Sequence, residues 1–148
     1  MQGVKDASRL GVAATFVLGG MLAVLIYAFK DGFALLLVNS EASIDGTMLA
    51  PAIAAMLIYA ALATTFDGLQ ATASMALRAQ GIVWVPSAIH LASFFLLMIP
   101  LCYIMAVSVG RGVQGMMEAV TITLLVAGGL QWALLEWKTA RREVRHAV

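Results

Sequence analysis

The sequence predicts an all-α, polytopic membrane protein with four transmembrane helices. Two observations carry this. The 148 residues are 62% hydrophobic and only 11% charged, with a mean hydropathy of +0.95, whereas soluble domains carry about a quarter charged residues. The apolar residues also lie in uncharged runs, Leu10–Phe29, Gly46–Phe66 resuming at Gly68–Leu77, Ala79–Gly110 and Ala119–Leu135. A helix needs roughly 20 apolar residues to cross a hydrocarbon layer of ~30 Å. The runs are continuous rather than alternating, which excludes a membrane β-barrel. The whole chain, 1–148, reads as one transmembrane domain whose partner is the lipid bilayer. Its net charge of +1 argues against nucleic acid, and its single cysteine, Cys102, rules out a disulfide framework.

The first helix is expected over about residues 8–29. Lys5 and Arg9 before it resemble the start of a secretory signal, but the apolar core exceeds the usual ~7–15 residues, so a retained helix is expected. Residues 30–45, KDGFALLLVNSEASID, are too short and polar to span. Phe33–Val38 either continues the first helix or lies at the outer interface. The second helix is expected over 46–78, with Pro51 in its first turns. The third is expected over 83–109, with Pro86 in its first turn, where a missing N–H costs little. Pro100 falls well inside it and should free the Leu96 carbonyl and bend the helix. The fourth is expected over 113–138, followed by a basic cytoplasmic tail, 139–148. Small residues offer close helix contacts at Gly19, Gly20 and Ala23, at Ala50, Ala54 and Ala55, and at Gly128 and Gly129.

Orientation follows from the basic side chains. With both termini cytoplasmic, Lys5, Arg9, Arg78, Lys138, Arg141, Arg142 and Arg145 fall inside and only Lys30 and Arg111 outside. The outer loop after the first helix then carries Asp31, Glu41 and Asp45. Trp84, Trp132 and Trp137 fall near the inner interface and Tyr27 and Tyr103 near the outer one, as in an aromatic belt. The expected location is the plasma (inner) membrane.

One acid interrupts the oily second helix. Asp67 lies eleven residues before Arg78, about 16 Å along a helix, which places it near mid-membrane if Arg78 marks the boundary. At 100° per residue Ala60, Ala63, Thr64, Asp67, Gln70, Ala71, Ser74 and Arg78 share a narrow polar stripe. A charge facing lipid at the bilayer centre costs on the order of 3 kcal/mol or more, so the stripe should face protein or a wet cavity. Two readings of Asp67 stand. It binds a coupling cation, Na⁺ or H⁺, with Thr64, Gln70 and Ser74 as cavity-lining neighbours, oxygen ligands that suit a hard cation. Alternatively, it is a structural acid, hydrogen-bonded to a neighbouring helix or sitting at the interface. His90 reads as a packed interfacial residue and Glu118 as solvated or paired with Arg111. The tail can meet acidic lipid headgroups. No Walker, GxSxG, HExxH or CxxC motif is present, no cofactor is implied beyond the coupling ion, and no enzyme is expected.

The order of motifs resembles the C-terminal part of multidrug and toxic compound extrusion (MATE) transporters. The resemblance is carried by FDGLQATASMALRAQG (Asp67, Gln70, Ala76-Leu77-Arg78), VPSAIHLASFFLLMIPLCY (Val85-Pro86, Pro100-Leu101-Cys102-Tyr103) and GRGVQGMME (Gly112, Gly115). It is strongest over residues 66–115 and covers essentially the whole chain as the last four helices of a twelve-helix protein, part of a six-helix lobe. The chain departs from the pattern at AQGIVW and at Glu118. The resemblance implies an antiporter exporting organic cations and drugs against Na⁺ or H⁺, with Asp67 at the position of the acid that binds the cation in one branch of the family. It also implies that the chain needs a missing lobe, or self-association, to pump, and that Met1 can open a truncated reading frame. Two alternatives remain. A small-multidrug-resistance-like dimeric exporter also has four helices, but keeps its carboxylate in the first, where this chain has no interior acid. The other is a non-transporting membrane assembly partner.

Overall fold

The computed structural model describes residues 2–44 and 46–146, without the side chains of 2, 4, 5 and 141–146. Asp45, the Lys5 side chain and the basic side chains of the tail therefore lie outside the described residues. Four helices are long and apolar enough to cross a membrane. They are α1 (Gln2–Leu37), α2 (Leu49–Ala79), α3 (Trp84–Ser108) and α4 (Gly112–His146). Between α1 and α2 a minimal hairpin pairs β1 (Ser43–Ile44) with β2 (Thr47–Met48), Ser43 opposite Met48. Gly46, with φ of 77°, supplies the left-handed turn residue it needs.

α1 does not stop near residue 29. It runs unbroken through Lys30, Asp31 and Gly32 to Leu37, so Phe33–Leu37 continues the helix. The two charges do not end it because Lys30 Nζ pairs with the Asp31 carboxylate at 2.9 Å, and a lone glycine costs a helix only about 1 kcal/mol. α4 likewise continues to His146, past the expected start of a tail at 139. EWKTARREVRH contains strong helix formers and no glycine or proline, so nothing in it ends the helix. α2 ends in a glycine cap. Gly81 has φ of 81°, Ile82 N–H donates to Leu77 O at 3.0 Å and Gly81 N–H to Arg78 O at 2.9 Å, the paired bonds of a Schellman motif.

The expected break at Pro100 takes the form of a widened helix. α3 is α-helical over Trp84–Ala92, π-helical over Ser93–Met98, α-helical over Ile99–Tyr103 and π-helical again over Ile104–Ser108. Ile99 N–H reaches back five residues to Phe94 O. An extra residue in the turn before Pro100 relieves the clash of its ring with the carbonyl four back.

α2 is the central helix, packed along α1 on one side and α4 on the other, while α3 packs mainly on α4. The α1–α2 seam is built from Gly11, Thr15 and Gly19 facing Thr65, Gly68 and Thr72. A Cβ at Gly19 would lie 2.8 Å from Thr65 Cγ2 and one at Gly68 2.9 Å from Thr15 Cγ2. The Thr15 and Thr72 hydroxyls meet at 2.9 Å; one donates to the other while the second donates within its own helix, to Gly11 O or Gly68 O. Each hydroxyl thus stays hydrogen-bonded where no water reaches. Gly128 sets the α2–α4 approach, with Phe66 O 3.4 Å from a notional Cβ. Gly20 and Gly129, expected at contacts, have nothing within 4 Å of such a Cβ. Ala54 is buried but Ala55 is exposed. Arg9 Nη2 pairs with Glu136 Oε2 at 2.7 Å, tying the start of α1 to α4. Long apolar side chains such as Leu18, Leu36 and Leu96 stay 67%, 81% and 77% exposed, a surface suited to hydrocarbon rather than water.

Candidate functional site: a groove beside Asp67

α2, α3 and α4 enclose a groove of about 300 Å³ lined by Asp67, Gln70, Ala71, Ser74, Met75, Arg78, Pro86, Ser87, His90, Leu91 and Gln131. Each helix contributes polar groups for a local reason. On α2, Asp67, Gln70, Ala71, Ser74 and Arg78 recur at three- and four-residue spacing and so share a face. On α3, Pro86 is buried in the first turn, and its carbonyl accepts from Gln131 Nε2 of α4 at 3.2 Å. That bond docks the start of α3 on α4 and turns Ser87 and His90 toward α2. Gln70 Nε2 donates to His90 Nδ1, which makes Nε2–H the tautomer of that imidazole. His90 stacks on Phe94, with centroids 4.5 Å apart. At one mouth Arg78 Nη2 donates to Ser87 Oγ at 3.3 Å.

The polar stripe is divided by the packing. Ala63 and Gln70 are buried, Ser74 is half-buried, and Thr64, Asp67, Ala71 and Arg78 are exposed. Asp67 therefore opens on the groove at the edge of the four helices instead of packing among them, and among the described residues it has neither an ion-pair nor a hydrogen-bond partner. Gln70 and Ser74 line the groove with it. Thr64, expected in the same cavity, does not line this groove. It is exposed, and its hydroxyl donates to Ala60 O at 2.8 Å. His90 is exposed on one side while Phe94 and Gln70 hold the ring, and it shares the groove with the acid.

Gln131 and Ser87 were missed by sequence reasoning. Gln131 is 1% exposed and Gln70 2% exposed, and the Oε1 atom of each is buried without a hydrogen-bond partner. A polar side chain so deep in an apolar helix is a usable signal for Gln131, but only the fold places it beside Asp67. Two residues that line the groove with Asp67 thus each carry a buried amide oxygen without a donor. Buried orphans of this kind cost roughly 1–3 kcal/mol each unless something satisfies them. Among the described residues no three His, Cys, Asp or Glu side chains gather. The groove's oxygen-bearing side chains, Asp67, Gln70, Ser74, Ser87 and Gln131, are of the kind that suits a hard cation or a protonated group, with one imidazole, His90, beside them.

Glu118 is buried and paired with Arg111, the second of its two expected readings. Tyr59 Oη donates to its Oε1 at 2.8 Å, Gln114 Nε2 to the same oxygen at 3.3 Å, and Arg111 Nη1 to its Oε2. The carboxylate closes the α3–α4 turn onto α2, and its acceptor sites are occupied, in contrast to the groove.

The MatE family model matches residues 1–104, about 70% of the 148 residues. This chain belongs to the MatE family. The MatE chain is also 32% identical over 139 residues to a probable multidrug resistance protein NorM of Caulobacter vibrioides. That alignment takes in 92% of the chain but 28% of the relative, so the chain spans little more than a quarter of the length of the curated protein it matches. No solved structure matches.

Proposed function

We propose that this MatE chain forms four helices of a multidrug efflux antiporter in which Asp67 carries the coupling cation, Na⁺ or H⁺. The observation behind this reading is that Asp67, without an ion-pair or hydrogen-bond partner among the described residues, lines one groove with Gln70 and Gln131, each of which keeps a buried amide oxygen without a donor. A cation in that groove would give the carboxylate the partner it lacks. Arg78, the cation on the same helix face, lies about three turns away and leaves the acid available. The relative's name supports multidrug resistance as the process, and organic cations and drugs as cargo are what the resemblance to MATE transporters implies. Both termini would face the cytoplasm of the inner membrane, by the excess of basic side chains at that end.

Alternating access needs a second lobe around the groove. The four helices would therefore pump only together with the rest of a transporter or by self-association. A chimera tests the site directly. These residues replace the matching segment of the Caulobacter relative, and ethidium efflux from proteoliposomes is followed under a Na⁺ or pH gradient. The chimera should transport, Asp67→Asn should abolish gradient-driven efflux, and Asp67→Glu should retain part of it. Undiminished gradient-driven efflux with Asp67→Asn would overturn the assignment. Robust transport by the isolated monomeric chain would overturn the need for a second lobe.

A further inference from the structure

α3 widens twice, and only one of the two π-wound stretches has a local cause. The first precedes Pro100. The second, Ile104–Ser108, does not, since residues 101–111 contain no proline. The winding loosens step by step there. Val109 N–H reaches back five residues to Ile104 O at 2.9 Å, and Arg111 N–H six residues to Met105 O at 3.2 Å. Gly110 and Gly112, with φ of 73° and 54°, flank Arg111 in the left-handed conformation that glycine adopts freely. Gly115 N–H then meets Arg111 O at 3.3 Å.

The Arg111 side chain ties this loosened end down. Its guanidinium sits on Glu118, and the two side chains are 44% and 10% exposed. The acid is held from two helices, by Tyr59 of α2 and Gln114 of α4. The cation rides on a turn with glycine on both sides. One partner can therefore leave for water while the other cannot. Desolvation of the acid offsets much of the attraction in such a pair, so a closed and an open arrangement lie close in free energy.

We propose that the α3–α4 turn is a latched lid: Arg111 on Glu118 keeps the end of α3 π-wound, and its release lets that stretch rewind to α and lifts the guanidinium off the shut-in carboxylate. Rewinding takes one residue out of a turn. It rotates the chain beyond Ser108 by about 100° and carries a side-chain tip about 5 Å from the axis through about 8 Å. Gly110 and Gly112 absorb the rotation, because glycine populates both signs of φ. Tyr59, which anchors the acid, lies eight residues and about 12 Å along α2 from Asp67. The lid is thus separate from the groove and does not depend on the assignment of the coupling cation.

Three readings on the full chain in lipid nanodiscs test the lid. Spin labels at Val109→Cys on the turn and Ala55→Cys on α2, both exposed positions, are placed in a Cys102→Ser background. Glu118→Gln should shift the distance between them by up to about 8 Å. It should also speed tryptic cleavage after Arg111 about tenfold, the effect of about 1.4 kcal/mol on the opening equilibrium. In amide hydrogen exchange Val109 N–H should stay protected, its acceptor now Met105 O four residues back, while Arg111 N–H loses protection. Tyr59→Phe, which loosens the acid but keeps its charge, should give part of the gain in cleavage. Glu136→Gln, which breaks the pair with Arg9, should change none of the three. An unchanged distance or unchanged cleavage in Glu118→Gln overturns the proposal. So does loss of protection at Val109, since the end would then fray rather than rewind. The same changes in Glu136→Gln overturn it too, as loosening of the whole bundle. Should Glu118→Gln not fold, Tyr59→Phe decides, and no gain in its cleavage refutes the lid.

Discussion

Gly115→Ala should loosen the end of the bundle at the α3–α4 turn, by an amount that follows from three distances. A Cβ at Gly115 would lie 2.6 Å from Met105 O, 2.7 Å from Met105 C and 3.0 Å from Ala106 N. Carbon and oxygen need roughly 3.3 Å, so α3 must retreat from α4 by about 0.7 Å, and overpacking of this kind costs about 1–3 kcal/mol. The upper part of that range applies because the obstacle is backbone, which cannot rotate aside as a side chain can. Met105 O also accepts from Arg111 N at 3.2 Å, a bond already near its limit that the retreat would break. Gly129→Ala is the matched control, since its new methyl meets nothing within 4 Å. Helix propensity favours alanine in both variants by up to about 1 kcal/mol, so the comparison isolates the clash. Unfolding in SDS mixed micelles, followed by circular dichroism, should place Gly115→Ala about 2 kcal/mol below Gly129→Ala. Equal midpoints would mean that α3 and α4 do not approach as described, and the reasoning would fail.

Other perturbations have equally direct outcomes. Glu118→Ala leaves Arg111 and Tyr59 without their acceptor and should cost about 1.5–3 kcal/mol in the same unfolding assay, with Glu118→Gln losing less because it keeps an oxygen for Tyr59. In a double-mutant cycle, Thr15→Val and Thr72→Val should couple by only about 0.6 kcal/mol, typical of interhelical hydrogen bonds in membranes, because a hydroxyl that loses its partner across the seam can turn to its own helix, at Gly11 O or Gly68 O. Arg9→Gln breaks a pair whose side chains are 53% and 30% exposed, and should change the unfolding midpoint by less than about 1 kcal/mol. Gln131→Leu removes one bond to Pro86 and one partnerless oxygen together. Stability should stay within about 1 kcal/mol, while the cation dependence of efflux in the chimera weakens, and unchanged dependence would remove Gln131 from the site.

Much of the architecture was legible before any coordinates. Four spans could be counted because a helix in hydrocarbon must satisfy its own backbone, leaving long uncharged runs as its signature. Their ends were less legible. Lys30 and Asp31 look like a boundary in composition, yet they neutralise each other and let α1 continue to Leu37. Pro100 announced a disturbance but not its form, since π winding depends on how the widened turn packs against α4. Among the glycines, Gly19, Gly68, Gly115 and Gly128 touch neighbouring helices while Gly20 and Gly129 do not, a distinction that helix rotation alone decides.

The site divides in the same way. Asp67 stands out in one dimension because a carboxylate in an apolar helix is too costly to be incidental, and Gln70 and Ser74 follow from helical period. Ser87, His90 and Gln131 belong to α3 and α4, at separations no periodicity spans, and they share a groove with Asp67 because α3 packs on α4, with the Pro86–Gln131 bond at its start. The sequence by itself determined how many helices cross and which residue carries the isolated charge, since both are local costs of burying polar groups in lipid. Tertiary structure alone decided which oxygens are left unpaired around that charge, because a hydrogen bond made or missed depends on where a second helix puts its donors.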